Sequence, residues 1–535
     1  MKREIIGKGT WIDKLASAII KREKEIGRSL EPILVESGLG ASGFPHIGSL
    51  GDAVRAYGVS LAIKNLGYNS KLIAYSDDLD GLRKIPSGLP TWLAEHIGKP
   101  VSSIPDPIGQ CHESYGAHMS SLLLDALDRL DVNYEYLNAE KVYGNGMLSD
   151  QIDKILTNAP NLGNKIEEIV GQSKYKESLP YFPICESCGR LYVANAEKYI
   201  KEEKKVSYVC SGTKLGNNEL KGCGYTGEIP ISTGKGKLAW KVEFAARWSA
   251  LDIRFEAYGK DIMDSVRVND WVSDDVLNYA HPFHVKYEMF LDKGGKKISK
   301  SIGNVLTPQV WLRYGSPQSL LLLLFKRITG TRQVGIDDIP ALMEEYDNYE
   351  DIYFGKKKED NEDKLIKTRG LYEFINHLRT SKETLQHVPY MLMAQQASFF
   401  SGNDRIEKIF DRLVKYKVAS ELTPDLEQKI QLACNWSDDH TSTEKFDVAL
   451  TEKEKLIIRK ILKDLDSEDT KSNLDAEKIQ QLIYETSKLN NEQPRKIFKL
   501  MYKMLINADS GPRLGGYVID LGMHRIRSIL KPYIS

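Results

Sequence analysis

The sequence predicts an α/β protein: a parallel-sheet domain, interrupted by a small cysteine-bearing insert and followed by an all-α C-terminal region. Three observations carry this. A short apolar strand, a glycine-rich turn, a helix and a second strand succeed one another between residues 32 and 75. Four of the six cysteines fall among turn residues between Tyr181 and Ile231. From about Pro308 onward the pattern is mostly helical to the C-terminus.

Each element has a local cause. Trp11, Ile12, Leu15, Ile19 and Ile20 recur at helical spacing, so a helix is expected from about Thr10 to Ile26. Pro32-Ile33-Leu34-Val35-Glu36 is short, apolar and β-branched, as a buried parallel strand requires. The turn Ser37-Gly38-Leu39-Gly40-Ala41-Ser42-Gly43 follows, then a helix from about Ser49 to Asn65 that stops at Gly67. Lys71-Leu72-Ile73-Ala74-Tyr75 is the next strand, completing a βαβ unit. Short strands and turns resume from Lys237 to Asn304. The charged run Lys356 to Lys364 reads as a solvated loop or helix end.

The chain has 535 residues, which at roughly 100–200 residues per domain suggests about three domains. Lys plus Arg number 74 and so do Asp plus Glu, so any nucleic-acid surface must be a local patch. No apolar run approaches the ~20 residues of a membrane span; the longest, Leu320 to Phe325, reads as a core helix. Met1-Lys2-Arg3-Glu4 leads into Gly7-Lys8-Gly9, not into the apolar stretch of a secretory signal. A cytoplasmic setting is expected, where clustered cysteines are metal ligands or reactive thiols.

Two short segments bear on chemistry. Phe44-Pro45-His46-Ile47-Gly48-Ser49 lies between the first strand and its helix. Amides at a helix N-terminus attract phosphate, an imidazole there can donate to a phosphate oxygen, and Gly48 lets a flat base approach the backbone. Taken alone, the triplet equally fits a loop histidine with a structural partner. Gly294-Gly295-Lys296-Lys297-Ile298-Ser299-Lys300-Ser301 pairs glycines with crowded ammonium groups. Such a loop can close over a triphosphate, though alone it fits an ordinary basic surface loop.

Metal chemistry is indicated twice. Cys185-x-x-Cys188-Gly189 has the form of a zinc knuckle, which Cys210 and Cys223-Gly224 could complete as a four-thiolate site. Twelve residues separate the second pair, as an inserted loop from Ser211 to Gly222 would explain. Asp106, Cys111, His112 and His118 form a second set of competent ligands. The alternatives are unligated thiols and a helix-start cluster.

Taken together, the two chemical segments resemble known signatures. His46-Ile47-Gly48-Ser49 resembles the HIGH signature of class I aminoacyl-tRNA synthetases, with Ser49 in place of the second histidine. Lys297-Ile298-Ser299-Lys300-Ser301 resembles their KMSKS signature. Further segments resemble the class I lysyl-tRNA synthetases: Asp77 to Pro86, Trp240 to Phe244, Phe255 to Asp261, Lys286-Tyr287-Glu288 and Ser510 to Gly516. Two positions depart from that subgroup. Gly40 stands where a threonine is frequent, and Ile262-Met263-Asp264 follows Asp261 where a histidine is usual.

The resemblance implies a Rossmann-like catalytic domain, with its first part over 1–175 and its second over 236–307. A zinc-ribbon-like insert would occupy 176–235, a helical connection 308–350 and an α-helical anticodon-binding domain 351–535. It implies ATP-dependent activation of lysine to lysyl-adenylate and transfer to the 3′ end of tRNA(Lys). ATP would be bound by Pro45, His46, Gly48, Ser49, Lys297, Ser299 and Lys300. Of these His46, Ser49, Lys297 and Lys300 would act on the phosphates, with Mg²⁺ as counter-ion. Lysine would be bound by Gly38, Asp78, Asp80, Trp240 and Tyr287, with Glu243 and Glu288 as further carboxylates. These carboxylates could instead hold Arg83 or Lys260. Tyr346, Tyr349, Arg495, Tyr502, Arg513 and Tyr517 are candidates to meet anticodon bases, although helical aromatics are more often core. The competing functions are a paralogue acting on another amino acid or acceptor, and an RNA-binding protein without catalysis.

Overall fold

The computed structural model describes residues 5–215, 218–288, 290–295, 306–440, 448–465 and 475–534. The chain divides into two compact units. One comprises Met1–Gln309, Leu321–Ile336 and Asp360–Thr380; the other comprises Val310–Leu320, Asp337–Glu359 and Ser381–Ser535.

The first unit is built on a five-stranded parallel sheet. Its strands are β1 (Ile33–Leu39), β2 (Ser70–Ser76), β3 (Glu135–Asn138), β4 (Ile253–Gly259) and β5 (Phe283–Tyr287), in the order β5-β4-β1-β2-β3. The chain builds outward from β1 to β3, then returns to the other side of β1 with β4 and β5. A crevice therefore opens between the carboxyl ends of β1 and β4, where open α/β sheets bind ligands.

Helix α1 (Trp11–Glu25) starts where expected because Thr10 and Asp13 form a capping box: Thr10 Oγ1 accepts from the N–H groups of Ile12 and Asp13. Its apolar face, Ile12, Leu15, Ala16, Ile19 and Ile20, is buried. Helix α2 (Ile47–Asn65) joins β1 to β2 and is buried on nearly every face. Gly58 permits close packing there, since a Cβ would lie 2.7 Å from the Phe325 ring. Helix α3 (Tyr115–Arg129) precedes β3 and is capped by Ser114.

The insert is closed at its base by Tyr181–Pro183 pairing antiparallel with Gly236–Leu238. Beyond that lies a three-stranded sheet of Ala194–Ile200, Lys205–Cys210 and Thr226–Pro230. The segment between Cys210 and Cys223 is a β-hairpin, Gly212–Leu215 with Asn218–Lys221. The insert is not held by its cysteines alone: Tyr181, Val193, Val206, Tyr208 and Ile229 share one apolar core with Tyr75 and Leu79.

The second unit carries helices and no strand among its described residues. Leu392, Ile430, Ile457, Ile483, Ile497, Met501 and Tyr517 are fully buried within it. Two expected anticodon candidates serve the core: Tyr517 is buried, and the buried Tyr502 donates its hydroxyl to Pro512 O at 2.7 Å, fixing the turn before Arg513. Arg513 is exposed and pairs with Glu477 at 2.6 Å.

Candidate active site

His46 sits in the extended position before α2 and caps it: Nδ1 accepts the Ser49 N–H at 3.1 Å and lies 3.4 Å from Ser49 Oγ. With Nδ1 accepting, the ring proton belongs on Nε2, the donor an anionic ligand needs. Gly48 has a different role from the one its sequence position invites. A Cβ there would stand 2.8 Å from His46 Nδ1 and Cε1, so the space is filled by the protein's own imidazole.

His46 and Gly48 line a cavity of about 320 Å³ at the crevice between β1 and β4. The cavity is also lined by Gly38 near the end of β1 and Gly40 just after it, Gly259 at the end of β4, and Tyr287 at the end of β5. Pro45 and Ser49 are not in its wall. Lys297, Ser299 and Lys300 lie outside the described residues.

One wall is acidic. Asp77, Asp80 and Trp240 face the cavity, and Trp240 Nε1 donates to Asp77 Oδ2 at 3.1 Å. Behind them lies a buried cluster. Lys237 Nζ is 2.6 Å from Asp77 Oδ1, 3.3 Å from Glu243 Oε2 and 3.9 Å from Asp80 Oδ1. Burial opposes the charge on Lys237, but the carboxylates of Asp77, Glu243 and Asp80 lift its pKa well above the usual lysine range. Burial pushes Glu243 up to about 7 while Lys237 pulls it back, and Tyr143 donates to its Oε1 at 3.0 Å. Tyr192 donates its hydroxyl to Asp80, and Arg83 lies 3.5 Å from Asp80 Oδ2.

The other walls pair their charges. Arg247 bridges the buried Glu36 and, at 3.2 Å, Glu256. Burial raises Asp52 to about 7, with Arg55 and the Tyr287 hydroxyl pulling it down. The Arg55 guanidinium lies 5.2 Å from the Tyr287 ring centroid. Glu288 pairs with Lys260 at 3.4 Å.

Of the five residues expected to meet lysine, Gly38, Asp80, Trp240 and Tyr287 line the cavity together. Asp78 does not: its buried carboxylate accepts the Glu140 N–H at 2.9 Å. Its neighbour Asp77 takes the place in the wall. Both residues follow β2 in succession, and with the turn that begins at Asp78 only Asp77 lines the cavity. Lys237, Asp52, Arg55 and Arg247 carried no motif of their own in the sequence.

Both ligand sets assemble. The thiols of Cys185, Cys188, Cys210 and Cys223 lie within 4.8 Å of one another, with Cys185–Cys223 at 3.6 Å and Cys188–Cys210 at 3.8 Å. A tetrahedron with ~2.3 Å metal–sulfur bonds has edges of about 3.8 Å, so the thiols fit a zinc ion. Asp106, Cys111, His112 and His118 are equally close. Cys111 Sγ lies 3.1 Å from His112 Nδ1 and 3.6 Å from His118 Nδ1, which is 3.1 Å from Asp106 Oδ2. Mixed sulfur, nitrogen and oxygen ligands at ~2.0–2.3 Å match those separations.

The family described as "tRNA synthetases class I (K)" matches residues 9–377. The chain is 50% identical over 528 residues to a lysine–tRNA ligase of Cenarchaeum symbiosum (strain A), covering 99% of both. It is 31% identical over 505 residues to a lysine–tRNA ligase of Rickettsia africae (strain ESF-5), covering 93% of both. The solved glutamate–tRNA synthetase of Elizabethkingia anophelis aligns at 12% identity and a TM-score of 0.35 over 94% of this chain and 100% of that one, too loosely to argue from. With a matching family over most of its length and full-length relatives at this identity, the chain belongs to the class I (K) family of tRNA synthetases.

Proposed function

We propose that the protein is a lysine–tRNA ligase, which activates lysine with ATP and transfers it to the 3′ end of tRNA(Lys). The observation that carries this is one cavity whose lining joins two unlike groups: the His46-capped start of α2 and the Asp77–Asp80–Trp240 wall. The relatives' shared name supports lysine as substrate.

Lysine's carboxylate attacks the α-phosphate of ATP, forming lysyl-adenylate and releasing pyrophosphate. The terminal ribose hydroxyl of tRNA then takes the lysyl group and AMP leaves. The protein's part is positioning and charge stabilisation. His46 Nε2–H donates to phosphate oxygen, and the dipole of α2 adds to it. Asp77 and Asp80 accept the side-chain ammonium while Trp240 presents its ring to the methylenes. The substrate's backbone end lies toward Gly38 and Tyr287. Lys297, Ser299 and Lys300, with Ser49 and Pro45, complete the ATP-binding set, and Mg²⁺ accompanying ATP offsets phosphate charge. The four cysteines would hold one zinc ion and Asp106, Cys111, His112 and His118 another, each ordering the segments that carry its ligands.

A second reading, a synthetase acting on another amino acid, has one observation in its favour: Ile262 lines the cavity where the subgroup has a histidine. Aminoacylation of unfractionated tRNA with each amino acid separates the two. The lysine reading expects charging by lysine alone; charging by another amino acid instead refutes it.

A further inference from the structure

The acidic wall of the proposed lysine site carries a lysine of the protein's own on its buried side. The Lys237 side chain is 1% exposed and lies behind the cavity wall, on the strand pair that closes the insert. It touches Asp77, Glu243 and Asp80, and of these Asp77 and Asp80 face the cavity. Asp77 is held from both sides, by Lys237 on Oδ1 and by Trp240 Nε1 on Oδ2.

Three carboxylates gathered at one poorly solvated point repel one another. Without a cation among them, burial and repulsion would drive protons onto them. The other groups facing the cluster include Tyr143, Tyr75 and Glu36 near Glu243, Tyr192 and Arg83 beside Asp80, Asp78 next to Asp77 but turned to the Glu140 N–H, and Arg247. Arg247 is committed to Glu36 and Glu256. Above about pH 7, where Glu243 too is ionised, the cluster sets three carboxylates against two cations, Lys237 and Arg83, and keeps one negative charge in surplus.

Building on the reading of lysine as substrate, we propose that Lys237 is a positioning residue for substrate selection. From behind the wall its ammonium holds the Asp77 and Asp80 carboxylates in place and aimed, so that one further ammonium, the substrate's, binds in front of them. Without Lys237 three carboxylates face Arg83 alone, and their repulsion splays and protonates them; a wall with no surplus gives a cationic side chain no net attraction. Three carboxylates against two cations accept one more cation and disfavour neutral or acidic side chains.

The test is lysine-dependent ATP–pyrophosphate exchange by the full chain with tRNA present, between pH 6 and 9. The proteins are wild type, Lys237→Met, Lys237→Arg and the double variant Lys237→Met/Glu243→Gln. Lys237→Met should raise the lysine KM about tenfold or more at pH 7, with a smaller change in kcat. Its KM relative to wild type should fall as pH rises, because carboxylates deprived of their cation hold protons to higher pH. Lys237→Arg keeps the charge and should stay within about threefold of wild type. The double variant removes one charge of each sign, restores the surplus of one, and should recover most of the lost affinity.

An unchanged KM in Lys237→Met overturns the proposal. So does a raised KM that ignores pH and is not recovered in the double variant, which is the mark of a purely structural role. If Lys237→Met fails to fold, the double variant decides: near-wild-type KM upholds the proposal and a raised KM overturns it. Wild-type exchange with a neutral or acidic amino acid in place of lysine overturns the functional reading as well. Wild-type exchange with lysine beside an unmoved Lys237→Met overturns this inference alone.

Discussion

The imidazole of His46 packs against Gly48 so closely that a Cβ at residue 48 would stand 2.8 Å from its Nδ1 and Cε1. Gly48→Ala should therefore swing the ring off its cap on Ser49 and act as a partial loss of His46. Lysine activation should fall by about 10²-fold, with only ~1 kcal/mol of stability lost through the cap. Pyrophosphate exchange and a thermal melt read the two effects separately.

His46→Ala removes the donor outright. Activation should fall by orders of magnitude while lysine binding, measured by calorimetry, changes little, because the acid wall is untouched. Normal turnover in this variant would remove His46 from the phosphate site.

Adjacent aspartates should part company. Asp77 faces the cavity, so Asp77→Asn should raise the lysine KM about tenfold or more. Asp78 accepts the Glu140 N–H and lies outside the wall, so Asp78→Asn should cost about 1 kcal/mol of stability and leave KM unmoved. Steady-state exchange and a melting curve on each variant distinguish them.

These pairs show what the sequence made legible. Elements written in local pattern were readable: α1 from its apolar spacing and Thr10 cap, β1 from a β-branched run, the four-cysteine cluster from Cys185-x-x-Cys188. The His46 segment was readable through resemblance, although the use of Gly48 was not, because which ring fills the space left by a missing Cβ is a tertiary fact. The acid wall was half legible. Its aspartates stood in a recognisable segment, but whether Asp77 or Asp78 turns inward depends on the direction of one peptide at the end of β2. Lys237 was not legible, because its partner Asp77 lies 160 residues away in the chain.

Metal content should divide by site. Wild-type protein grown with zinc should carry about two ions per chain by mass spectrometry, one for each cluster. Cys185→Ser and Cys111→Ser should each lose about one. Because the insert shares apolar core with the sheet, Cys185→Ser should lower the melting temperature without unfolding the chain.

The second unit carries a separate pH signature. Burial, with Asp347 nearby, raises Glu344 from 4.5 to about 8, and its carboxylate accepts the Tyr390 N–H at 2.5 Å. The folded state thus holds a proton that the unfolded chain releases above 4.5. This contribution to stability is complete below that pH and is lost as pH rises toward 8. Glu344→Gln should melt higher than wild type at pH 9 by on the order of 2–4 °C and close to it at pH 4.5. An advantage that grows toward low pH would reverse the sign and refute the assignment.

The most direct measurement is a crystal structure with a non-hydrolysable lysyl-adenylate analogue. The account predicts the analogue's side-chain ammonium within about 3 Å of Asp77 or Asp80, and its phosphate mimic against His46 Nε2. An analogue bound outside this cavity, or turned so that its ammonium meets neither aspartate, would contradict it.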